Sequence, residues 1–179
     1  AASDVYKRQD IGGSLGTVLA LTENYSVDIT PFRLDGEYKN FRKPEGVIFS
    51  KDVKEDLKRR DFTINAILYN GEFIDYVGGL RDLKNKIIRP IGDANIRIKE
   101  DALRILRAVR FATKYDFEIE ASLESAIISN VNLLKNISFE RIRDEFVKIL
   151  LDKNVKKGMN LLRKLHIFDI ILPEILQTY

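Results

Sequence analysis

The chain has 179 residues, 45% of them hydrophobic, which suits one compact domain or two small ones and argues against disorder. Lys and Arg number 30 against 27 Asp and Glu, a net charge of +3 that permits a nucleic-acid partner without demanding one. With no Cys and one His (His166), a disulfide framework, a Cys- or His-cluster metal site and a His-based triad are set aside; no apolar run approaches about 18 residues and no signal peptide is visible, so a cytoplasmic protein without a membrane span is expected.

The first nine residues, Ala1 to Gln9, contain no Met, resemble translated adapter sequence and are set aside as an extension; native sequence is expected from about Asp10. Residues 10–92 are short apolar runs broken by Gly and Pro, the texture of a strand-rich half. Gly16 to Leu21 reads as a strand, Asn24 as a turn and Ser26 to Phe32 as an antiparallel strand, with Asp28 facing away from Val27 and Ile29. Val53 to Arg60 is a short helix candidate. Ile64–Tyr69 and Phe73–Asp75 read as strands around Asn70-Gly71, and Gly78-Gly79 as a break before a last short strand at Ile87–Ile91. Residues 93–179 are helically periodic. Ile98, Ala102, Ile105, Val109 and Ala112 make one apolar stripe, predicting a single helix over about 96–114. Further helices are expected at 121–130, 138–151, 154–165 and 167–177, with Ser138 a good N-cap.

Four constellations could carry chemistry. Lys58-Arg59-Arg60-Asp61, with Asn65 four residues on, could hold phosphate through guanidinium forks and ribose hydroxyls through the carboxylate and carboxamide. It could equally be a solvated turn. Residues 96–114 carry six cations and two anions. Asp101 and Arg104, three apart, could be an ordinary surface ion pair. They could also read a base: adenine and cytosine present an amino donor beside a ring-nitrogen acceptor, which a carboxylate and a guanidinium match. Guanine and uracil reverse that order and would leave groups unpaired. Asp28 could be a strand-edge solvation device or a carboxylate serving Mg²⁺. Gly78-Gly79 reads as a hinge, and only weakly as a phosphate loop.

In this order the segments resemble class II tRNA nucleotidyltransferases and the related bacterial poly(A) polymerases. The resemblance runs from about Asp10 to at least Glu145. It rests on Gly16-Thr17-Val18, Val27 to Arg33, Glu55 to Ala66, Ile74 to Leu83, Glu100-Asp101-Ala102-Leu103-Arg104 through Phe111, and Ile137 to Ile142. It implies an α+β fold: part of a polymerase-beta-like palm with a mixed sheet over 10–92, then an all-α neck over 93–179. It also implies roles. Arg59, Arg60, Asp61 and Asn65 would bind triphosphate and ribose. Asp101 and Arg104 would read the base of ATP or CTP, supported by Glu100, Arg107 and Arg110. Asp28 would be a catalytic carboxylate, and Glu140 and Arg141 would stabilise the neck.

The implied activity is addition of CMP and AMP to tRNA 3′ ends with Mg²⁺. The family's Asp-x-Asp metal pair lies upstream of Gly16 in complete members and is absent here; Gly12-Gly13 is not part of that motif. The resemblance therefore implies an N-terminally truncated member, inactive alone and without certain metal ligands. Poly(A), A-only or CC-only addition stays open, as does a non-catalytic nucleotide- or RNA-binding module. A purely structural helical protein would bind ATP equally well after Arg104→Ala.

Overall fold

The structure is a computed structural model that describes residues 7–10, 16–36, 38–39, 43–44 and 47–174. The chain forms two compact units, Ala1–Glu37 with Pro44–Arg59, and Tyr38–Lys43 with Arg60–Tyr179. The last of these divisions falls within the Arg59-Arg60 pair.

In the first unit, β1 (Lys7–Asp10), β2 (Val18–Leu21) and β3 (Ser26–Ile29) form an antiparallel sheet in that order. Lys7 lies opposite Leu21 and Asp10 opposite Val18, so residues 7–9, set aside above, belong to the sheet. The β2–β3 turn is closed by Thr22, whose hydroxyl accepts from Tyr25 N and whose own N–H donates to Tyr25 O. The second predicted strand ends early, at Ile29, before Pro31, which has no N–H to give a ladder. The chain continues through β4 (Arg33–Asp35), β5 (Tyr38–Lys39), β6 (Lys43–Pro44) and β7 (Val47–Phe49), with β4 and β7 antiparallel. Helix α1 (Val53–Lys58) starts at Asp52, whose carboxylate accepts from Lys54 N at 2.8 Å.

The second unit, which takes in β5, resumes at Arg60 and forms a 3₁₀ turn, Thr63–Ala66, where a strand was expected. Polar anchors win over the apolar run there: Thr63 Oγ1 donates to Asp82 at 2.6 Å and Asn65 Nδ2 to Asp61 at 2.9 Å. The hairpin β8 (Leu68–Tyr69) and β9 (Phe73–Ile74) follows, then α2 (Gly79–Asn85) and β10 (Ile87–Ile88). Next come α3 (Ala94–Glu100), α4 (Arg104–Tyr115), β11 (Glu118–Ile119), α5 (Ala121–Asn130) and a 3₁₀ turn at Val131–Asn136. The last helices are α6 (Phe139–Leu150), α7 (Val155–Lys164) and α8 (Phe168–Ile171). Of the predicted helix over 167–177, α8 covers Phe168–Ile171, and 175–179 lie outside the described residues. Strand β11, which pairs parallel with β10, was not legible: two residues show no period. Ser138 occupies the N-cap position of α6, but its side chain makes no capping bond; its carbonyl accepts from Arg141 N and Ile142 N.

The predicted helix over 96–114 is two helices, broken at Asp101 in an extended conformation (φ −142°, ψ 103°). The apolar stripe survives the break: Ile98, Ala102, Ile105, Val109 and Ala112 are all fully buried. Helix α4 is the centre of the core, packed against α6 and α7. At Gly158 of α7 an added Cβ would stand 2.5 Å from Ile149 Cγ2 and 2.8 Å from Thr113 Oγ1, so only Gly lets α7 come this close. The architecture is α+β, small sheets followed by helices, as the sequence implies.

Candidate nucleotide site

Asp61 is 8% exposed and sits just before the 3₁₀ turn. Its Oδ2 accepts from Arg107 Nε (2.8 Å) and Nη2 (2.6 Å), while Oδ1 accepts from Asn65 Nδ2 (2.9 Å) and Phe62 N (2.9 Å). Burial alone would raise this carboxyl's pKa. The Arg107 charge, the Asn65 amide and the Phe62 N–H outweigh burial and hold it below its ordinary value of 3.8. Four donors fill the roughly four lone-pair positions of a carboxylate. Asp61 therefore organises Asn65 and Arg107, across 46 residues of sequence, and offers a ribose little spare acceptor capacity. Arg60 folds over the same turn, with Nη1 donating to Asn65 O at 2.8 Å.

The break at Asp101 builds the second group. Arg104 is 7% exposed, and its Nη1 donates to Glu100 Oε2 (2.6 Å) and to Arg97 O (2.7 Å). Glu100 is also ion-paired with Arg97. Asp101 goes elsewhere: Oδ1 accepts from Leu103 N (3.1 Å), capping the turn into α4, and Oδ2 from Arg141 Nη2 on α6 (2.9 Å). On one straight helix Asp101 and Arg104 would be i,i+3 neighbours; with the ladder broken, each is held by its own partner.

Arg104, Arg107 and Arg110 recur every three residues on α4. Each such step falls about 60° short of a full turn, so the three guanidinium groups fan over about 120° of helix surface. That fan explains their three destinations: Glu100, Asp61 and Glu145. Arg110 Nε lies 2.8 Å from Glu145 Oε2, yet neither atom is aligned for a hydrogen bond. The Arg110 guanidinium rests 4.4 Å above the Phe111 ring. Arg110, expected to support the nucleotide, is thus a brace between α4 and α6. Arg97 stands in the charged cluster of residues 96–114; the sequence reading gave Glu145 no role, and no local spacing links it to Arg110.

Asp28 and Arg59 lie in the first unit. Asp28 is exposed on β3 opposite Leu19, and its neighbours Val27 and Ile29 are exposed too. Arg59 turns back along α1, with Nε at 2.8 Å and Nη2 at 2.5 Å from Asp56 Oδ1. Asp56 is buried and also accepts from Arg33 N at 3.3 Å, so the pair fixes α1. Among the described residues no group of three or more His, Cys, Asp or Glu could hold a metal ion, so the described side chains do not by themselves fit Mg²⁺. The Gly78-Gly79 loop is not a phosphate cradle. Asp75 already fills it, with Oδ1 accepting from Val77, Gly78 and Gly79 N and Oδ2 from Leu80 N.

Residues 3–89 match the poly A polymerase head domain, and residues 116–178 match the probable RNA and SrmB-binding site of polymerase A. The chain belongs to the tRNA nucleotidyltransferase and poly(A) polymerase family. It is 46% identical over 155 residues to the CCA-adding enzyme of Ligilactobacillus salivarius, covering 86% of this chain and 38% of that one. It is 47% identical over 158 residues to the CCA-adding enzyme of Enterococcus faecalis, covering 87% and 39%. The Bacillus stearothermophilus CCA-adding enzyme in complex with CTP superposes with a TM-score of 0.80 at 38% identity, covering 88% of this chain and 38% of that one. A tRNA nucleotidyltransferase complexed with a primer tRNA and an incoming ATP analogue gives 0.74 at 30%, covering 93% and 47%. The chain spans about two fifths of the length of the curated relatives it matches. The nucleotidyltransferase family's head and neck architecture is thus the one seen here, and no described helix is long and apolar enough to cross a membrane.

Proposed function

We propose that this chain carries the nucleotide-choosing and nucleotide-holding surfaces of an enzyme that adds CMP and AMP from CTP and ATP to the 3′ end of tRNA. In that reaction the RNA 3′-oxygen bonds to the α-phosphorus as the bond to the β-phosphate oxygen breaks and pyrophosphate leaves. The observation that carries the reading is the break between α3 and α4, which sets Asp101 and Arg104 on separate, fixed partners. Asp101 has acceptor positions left for a base amino group, and the guanidinium of Arg104 supplies donors for a ring nitrogen. Arg60, Asn65 and Arg107 form the proposed phosphate and ribose side, with Asp61 as their anchor.

Arg59 and Arg110 have weaker support as nucleotide contacts, since both are paired inside their own units. Asp28 is proposed as one carboxylate of the chemistry; alone it cannot hold Mg²⁺, which the family reading requires. The 179 residues contain no Asp-x-Asp pair. The reading therefore expects nucleotide binding, and no turnover, from these residues assayed as they stand. A cytoplasmic location goes with tRNA as substrate.

The test is equilibrium titration of the chain with CTP, ATP, GTP and UTP. CTP and ATP are expected to bind at least about tenfold more tightly than UTP and GTP. Arg104→Ala should reduce ATP and CTP binding by about tenfold; equal binding by the variant would point to a structural helix instead.

A further inference from the structure

Helix α6 reaches across to α4 with two side chains one turn apart and of opposite sign. Arg141 holds Asp101, and Glu145 stands against Arg110. The two contacts differ in what they could set. Arg110 is already covered by Glu145 and the Phe111 ring. Asp101, by contrast, caps the end of α3: its backbone is held, N–H to Arg97 O at 3.4 Å and carbonyl to Arg104 N at 3.0 Å, while its side chain stands at the break between the two helices. One carboxylate oxygen is tied locally, to Leu103 N; the other is fixed only by a residue 40 positions away. Without Arg141 the carboxylate could turn about its side-chain bonds and remain bound to Leu103 N. The other amino nitrogen of Arg141, Nη1, is buried with no hydrogen-bond partner.

We propose that Arg141 is a positioning residue for base selection: it aims the Asp101 carboxylate so that a lone-pair position not used by Leu103 or Arg141 accepts from the amino group of cytosine or adenine. The proposal rests on the reading that Asp101 and Arg104 face the base. Its physical content is that discrimination needs a carboxylate in one orientation. A freely turning Asp101 could present an oxygen to several base edges, whereas a fixed one penalises the carbonyl of uracil or guanine by facing it with a second acceptor.

The experiment titrates CTP, ATP, UTP and GTP, with inorganic tripolyphosphate as a base-free probe, against the chain and its Arg141→Ala, Arg141→Lys and Asp101→Ala variants. Arg141→Ala is expected to cut the CTP-over-UTP preference about tenfold while tripolyphosphate binding moves far less, and Arg141→Lys to recover part of the preference. A merely structural loss would weaken all probes together and leave the ratio alone. If Asp101→Ala abolishes the preference and Arg141→Ala keeps it in full, the positioning role is overturned and the base-reading assignment survives. If Asp101→Ala itself leaves the preference intact, the base-reading assignment falls and this proposal with it. Should Arg141→Ala lose its helical circular dichroism, Arg141→Gln is read by the same ratio; loss of fold in every Arg141 variant would also overturn the proposal, by making the residue structural.

Discussion

Asp61 carries more of the site than any other single residue, because one buried carboxylate fixes two ligand-facing candidates at once. Its pKa is depressed in the folded state, so its contribution to stability is present above its unfolded value near 3.8 and is lost as pH falls through the lower folded value. Asp61→Asn is expected to lower stability at pH 7 by about 2 kcal/mol and to flatten the acid limb of a pH–stability curve recorded by urea denaturation. An unchanged acid limb would mean that the Arg107 contact contributes nothing. The same variant should weaken ATP binding through displaced Asn65 and Arg107, a loss readable by titration. Much of this cluster was legible in the sequence, since Arg60, Asp61 and Asn65 stand within one short run. That Asp61 faces Arg107 instead of a ligand was not legible, because a linear sequence does not tell which of several nearby cations a carboxylate meets.

At the scale of elements, the site depends on where helices stop and how closely they pack. The stripe from Ile98 to Ala112 predicts a continuous helix, and its burial is as expected. Periodicity reports which face is apolar; it is insensitive to one residue leaving the helix when the flanking turns keep phase. Asp101 leaves because its side chain caps Leu103 N and meets Arg141, bonds that compete with the helical ladder. Close packing sets the other elements. Gly158→Ala would push a methyl against Ile149 and Thr113, and is expected to cost about 2 kcal/mol in thermal or urea unfolding. Gly79→Ala is harsher, since the added carbon would stand 2.3 Å from the Thr63 carbonyl oxygen. It should pull the 3₁₀ turn away from α2, detectable as weakened ATP binding alongside lost stability.

Across the whole molecule, burial is uneven. Nearly all the described buried apolar residues belong to the second unit, whereas the first unit contributes Ala20 and Leu57 and exposes Val27, Ile29, Ile48 and Phe49. Local opening free energy follows buried contacts. Backbone amides of α4 and α6 are therefore expected to be the slowest to exchange with deuterium, and those of β2 and β3 much faster. Equal protection in both units would contradict this.

The sequence by itself determined the family, the succession of short strands and then helices, the apolar face of α3 and α4, and the residue types able to hold a nucleotide. These follow from local pattern: period, turn residues and short motifs act over a few positions. Only the tertiary structure decided that Arg59 belongs to Asp56, Arg107 to Asp61, Arg110 to Glu145 and Asp101 to Arg141. Partner choice among many charges is a matter of distance and burial. A three-residue spacing on a helix sends successive guanidinium groups in different directions, and which carboxylate waits there depends on segments up to 46 residues away.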